Sequence, residues 1–174
     1  MSWILILLFL MAAPVYAKPY NVNISCNQLE LLPPEVVGQV CYWWPGWWSA
    51  QHGDPHINAM RVILLTNAVT DACTRNQSSN ILSTVRAVPS LPSVPDNGLT
   101  YTCPQFLNSG EQWQYMHVLW LQGYMAWEDG STMIEADLTP VVEKAQKICT
   151  ASSHLNMEAV GRRLFLKKKY LQSQ

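Results

Sequence analysis

Charge is scarce in this chain: only 13% of its 174 residues are Asp, Glu, Lys or Arg, and they nearly cancel to a net −1. No stretch is basic enough, with suitable aromatics, to argue for nucleic acid. The signatures of catalysis are missing too. There is no G-x-S-x-G elbow, no H-E-x-x-H pair and no glycine-rich phosphate loop, so an enzyme is not expected. Nor does any run alternate at the two-residue period of a strand, which leaves an all-α fold as the expectation. His52-Gly53-Asp54-Pro55-His56 brings two histidines together without a third ligand in view, so neither a metal nor another cofactor is expected.

The opening apolar run, Trp3 to Met11, is too short to span a bilayer. Ala12-Ala13-Pro14 breaks it, and Val15 and Ala17 are small residues at the two positions a signal peptidase reads. Residues 1–17 therefore read as a secretory signal peptide, although no Lys or Arg precedes the apolar run. The mature chain is expected to begin near Lys18, in the bacterial periplasm or outside the cell, with no stable membrane insertion. The cysteines agree, since disulfides persist in oxidising compartments.

What is present is a cysteine frame written twice. Cys26 and Cys73 lie 47 residues apart, and Cys103 and Cys149 lie 46 apart. A shift of 77 puts Cys26, Gln28, Trp43, Gly46 and Gly53 on Cys103, Gln105, Trp120, Gly123 and Gly130. Trp47 meets Tyr124, and after a one-residue deletion Asn80-Ile81 meets Asn156-Met157. This is an internal duplication. It divides the chain into module 1 at 22–87, a linker at 88–98 with three prolines and an Asn-Gly turn, module 2 at 99–165, and a basic tail at 166–174. Four cysteines alone leave three pairings open. The repeat selects Cys26–Cys73 and Cys103–Cys149, since each small module should close its own loop.

Each module reads as about four helices. Ser25-Cys26-Asn27-Gln28 and Thr102-Cys103-Pro104-Gln105 are capping boxes that start a short helix. Met116, Leu119, Trp120, Gly123 and Trp127 then draw an apolar stripe along a helix from Gln112 to Trp127. Thr139-Pro140 starts a third helix, and a fourth runs from about His154. In the first copy Pro45 is expected to break or kink the long helix, and Asp54-Pro55 to cap the next. Gly46 and Gly123 are expected to pack at a close contact between the copies.

The Cys near a short first helix, the Trp120-Leu121-Gln122-Gly123-Tyr124 segment and the second Cys resemble the HdeA/HdeB family. The first copy matches less well, through Cys26, Trp43-Trp44-Pro45-Gly46-Trp47 and Cys73. The resemblance implies tandem exported helical modules of the kind found in periplasmic chaperones that work without ATP. Such proteins loosen in acid and hold unfolding clients on apolar surface, and they are often dimeric near neutral pH. This chain departs from the pattern in its duplication, Pro45, Cys41 and the basic tail.

The leading expectation is thus a non-enzymatic, chaperone-like protein binding unfolded or partly folded proteins, as a monomer with paired modules or as a homodimer. Its client-binding faces would be Trp43, Trp44, Trp47, Trp48, Trp120 and Tyr124. The alternative is a secreted module that binds one protein partner through Trp43–Trp48. Trp43, Trp47, Trp120 and Tyr124 recur in both copies, so core packing is their default. Trp44 and Trp48 have no aromatic counterpart in the second copy, four tryptophans around Pro45-Gly46 do not all turn inward easily, and an exposed remainder would be a binding patch. Cys41 aligns with Val118 and is expected to be a buried thiol, with intermolecular pairing as the other reading. His117 and His154 have no nucleophile that spacing can identify.

Overall fold

The computed structural model describes residues 18–57, 59–91 and 98–166. Residues 1–17, where a signal peptide is expected, the linker centre at 92–97 and the residues from 167 lie outside the described residues. The first half carries β1 (Tyr20–Asn21), α1 (Cys26–Leu29), α2 (Pro34–Gln51), α3 (Ala59–Arg75) and α4 (Ile81–Ala87). The second carries α5 (Cys103–Asn108), α6 (Glu111–Asp129), β2 (Met133–Ile134), α7 (Thr139–Ala151) and α8 (Met157–Phe165). The fold is mostly helical, with disulfides Cys26–Cys73 and Cys103–Cys149.

The halves repeat each other's local chemistry. Backbone N–H of Ser25 donates to Gln28 Oε1 at 3.0 Å, and that of Thr102 to Gln105 Oε1 at 2.8 Å, so both capping boxes form. The Cys26 N–H donates to Ser79 O and the Cys103 N–H to Leu155 O, both at 2.9 Å. These bonds run beside the bridges Ser25–Asn80 and Thr102–Asn156, which tie each first helix to the start of the fourth. There Asn80 and Asn156 cap α4 and α8 by accepting from Ser83 N and Ala159 N. The asparagine cap therefore starts the last helix at Met157, not near His154.

Two further expectations need correction. Helix α2 is not broken at Pro45 but continues through it to Gln51. An interior proline costs about 3 kcal/mol, whereas burying one large apolar side chain returns about 1.5–3 kcal/mol. Trp43, Trp44, Trp47 and Trp48 are all buried on this helix, so packing outweighs the local penalty. Asp54-Pro55 does not cap α3, which begins at Ala59; the Asp54 carboxylate is engaged by Arg61 and His56 instead. The all-α expectation holds, with one short two-stranded sheet added to the helices. β1 and β2 pair antiparallel, with Tyr20 opposite Ile134, and Val22 N donates to Thr132 O at 2.8 Å.

The halves share one hydrophobic core. Its centre is the contact between α2 and α6, the largest between any two elements. A β-carbon on Gly46 would run into the Trp120 carbonyl, and one on Gly123 into the Trp43 carbonyl. The two helices cross with backbones touching at both glycines. The described ends of the linker are also packed. Val88 is buried and its carbonyl accepts from Trp48 Nε1 at 3.1 Å, while a β-carbon on Gly98 would run into the Pro55 carbonyl. At the far end Leu166 is the C-cap of α8 and is buried against the core.

Candidate functional site

The glycine crossing decides where the tryptophans go. With α6 lying directly on α2, side chains on both flanks of α2 are covered. Trp43, Trp44, Trp47 and Trp48 are at most 5% exposed, and Trp120 is equally hidden. Tyr124 is half-buried and tilts against Trp120 with ring centroids 5.2 Å apart. The expected surface patch at Trp44 and Trp48 is therefore absent from the folded protein. These residues form the interior between the halves.

That interior is apolar but not fully satisfied. The indole N–H groups of Trp43 and Trp44, Ser49 Oγ, Gln39 Oε1 and Gln122 Oε1 make no protein hydrogen bond among the described residues. Each buried polar group left unpaired costs about 1–3 kcal/mol. At the edge of the contact, Trp47 meets Trp127 edge-on at 4.8 Å, and the Arg86 guanidinium lies over both rings at 5.5 and 5.9 Å. Arg162, the counterpart of Arg86 in the second half, binds Glu128 through two nitrogens at 2.8 and 3.0 Å and Glu158 at 3.1 Å. Burial, followed by the charges of Glu128 and Glu158, raises the pKa of Tyr124.

His117 lies deeper. Its imidazole is fully buried, stacked on Tyr101 at 5.1 Å, with Phe106, Trp113 and Trp120 edge-on at 6.0–6.3 Å. Neither ring nitrogen has a hydrogen bond of normal geometry among the described residues. Burial lowers the His117 pKa to about 4, and the nearby Gly98 backbone opposes this. Sequence reasoning placed His117 on the long helix but saw no role for it. The signal was its alignment with Val40, a buried position in the first half.

The remaining candidates do not converge. His52 stacks on Trp48 at 4.0 Å, whereas His56 binds Asp54 at 2.9 Å, so the two histidines face different partners. No group of His, Cys, Asp and Glu among the described residues is arranged to hold a metal. Cys41 is only partly buried, unlike its fully buried counterpart Val118, and burial pushes its thiol pKa up. A groove of about 630 Å³ between α3 and α4 is lined by Ser79, Ser83 and Thr84 without a histidine or cysteine to activate them. No described helix is long and apolar enough to cross a membrane.

Apolar surface that does face solvent lies elsewhere. Ile63 and Leu64, beside Met60, form an exposed strip on α3, where Ile63 is 52% exposed. Their spacing at positions 60, 63 and 64 marks one helix face and was visible in the sequence. No family model, no curated protein and no solved structure matches this chain.

Proposed function

We propose that this protein is an exported, non-enzymatic chaperone of two fused HdeA-like modules, whose client-binding faces are the tryptophan-rich sides of α2 and α6. The observation that carries this reading is the burial of these faces, on two helices that carry several buried polar groups with no hydrogen bond among the described residues. Apolar area of this kind is inaccessible to clients at neutral pH and becomes accessible when the halves part. The disulfides support the reading, because each closes its loop within one half and would limit unravelling after the halves separate. Acid supplies the driving force. Neutralising the twelve carboxylates leaves eleven Lys and Arg and four His to repel one another.

The test mixes the pure protein with an acid-labile client at about pH 3, below the carboxylate range, and then restores neutrality. A client that stays soluble, together with a red shift of tryptophan emission in acid, supports the reading. A protein that keeps buried tryptophans throughout and protects nothing refutes it. The second reading, a module for one protein partner, moves away from Trp43–Trp48 because those residues are buried. The exposed Ile63 and Leu64 on α3 favour that strip as its contact. Neutral-pH binding lost in Ile63→Ser would select this alternative.

A further inference from the structure

The two halves are not equivalent at one buried position. Where the first half carries Val40, the second carries His117 in a box made by Tyr101, Phe106, Trp113 and Trp120. We propose that His117 is an acid switch confined to the second half: taking up a proton expels its ring from the box and frees α5 and the 98–102 turn from α6, while the first half stays packed around Val40. The use of this switch in client capture rests on the chaperone reading; the switch itself does not.

The chemistry of the box sets the direction. A protonated imidazole has two N–H donors and a full charge, whereas among the described residues neither ring nitrogen has a hydrogen bond of normal geometry and only the Gly98 backbone opposes the desolvation. Aromatic faces return about 0.5–2 kcal/mol to a cation, whereas burying an ion without a counter-charge costs several kcal/mol. Desolvation therefore wins. No charged group among the described residues rescues the ring. Tyr101 is the titratable side chain of the turn, and α5 has none. On α6 itself Glu111, Glu128 and Asp129 lie at the helix ends. Glu35 of α2, Glu143, Lys144 and Lys147 of α7, and Glu158, Arg162 and Arg163 of α8 do not move the ring's pKa.

The sign follows from linkage. The folded state holds the imidazole neutral down to about pH 4, while the unfolded chain takes up its proton near the ordinary value of 6.5. The stabilisation is complete above 6.5 and is lost as pH falls from 6.5 to about 4. By pH 4 this one group lowers the folded-to-unfolded ratio by about 150-fold. The outcome does not require the carboxylates to titrate first, so the second half begins to loosen at a milder pH than general charge repulsion would demand.

The experiment compares the full chain with His117→Val by urea denaturation between pH 7.5 and 4, and follows the wild-type imidazole by NMR over the same range. The expected result is a stability difference between the two proteins that changes by about 150-fold across the range, with the folded-state ring not titrating above pH 5. Parallel stability curves overturn the proposal, as does a ring that titrates near 6.5 in the folded protein. Because the NMR arm uses the wild type, it decides the matter even if the variant fails to fold. Hydrogen exchange at about pH 5 is expected to show α5 and residues 98–102 losing protection before α3 and α4; uniform or reversed loss also overturns it. A switch that passes these tests in a protein that protects no client would refute the chaperone reading alone.

Discussion

The carbonyl of Trp120 occupies the place where a β-carbon on Gly46 would have to be, and Gly123 meets Trp43 in the same way. Two helices that each carry bulky aromatic side chains approach to backbone contact because each has one residue with no side chain at the crossing. Gly46→Ala or Gly123→Ala must push the helices apart along their whole contact, since the obstacle is backbone and cannot rotate away. Each is expected to destabilise by about 2–4 kcal/mol in urea titrations. A loss below about 0.5 kcal/mol would show that the helices do not touch there.

Arg61 is buried and its guanidinium meets the less buried carboxylate of Asp54, which also accepts from His56 N. Asp54→Asn removes the negative charge that Arg61 meets here and leaves the cation in place. The expected cost is about 2–4 kcal/mol, read as a lower denaturation midpoint at neutral pH. A conservative double change, Arg61→Met with Asp54→Asn, should recover much of the loss; failure to recover would mean that the pair is not what the buried cation depends on.

Cys41 gives a chemical readout of the α2 surface. Burial disfavours its thiolate, so alkylation by iodoacetamide at pH 7.5 is expected to be slow in the folded protein and fast in urea. Mass spectrometry distinguishes the two. Rapid labelling of the native protein, or a disulfide-linked dimer through Cys41 after purification, would contradict this placement.

Each disulfide closes a loop within its own half, with sequence separations of 47 and 46 residues. Replacing Cys103 and Cys149 together by Ala should cost about 2–4 kcal/mol, and the Cys26 and Cys73 pair should behave alike. Non-reducing peptide maps are expected to contain only the two intra-half links and free Cys41. A Cys26–Cys103 peptide would undo the assignment.

The helical plan was legible because its signals are local. Capping boxes lie within four residues, and the doubled cysteine frame ties Ser25 to Thr102 and Asn80 to Asn156 from the sequence alone. The direction in which Trp44 and Trp48 face was harder to read. A helix that is apolar around its circumference must be covered on several sides, and neighbouring pairs such as Trp43-Trp44 and Trp47-Trp48 were the sign of it. The pairing of Tyr20 with Ile134 spans two residues and is too short to leave a period. The box around His117 depends on Tyr101, which is distant along the chain, so only the comparison with Val40 pointed to it.

The crossing of α2 and α6 also imposes an order of events on the growing chain. The first half is made before the helix that covers its tryptophans exists, and β1 waits equally long for β2. A chain halted after residue 91 would close the Cys26–Cys73 loop yet present Trp43, Trp44, Trp47 and Trp48 to its surroundings. Folding of this protein is thus a late, long-range event, in which the second-made half completes the first.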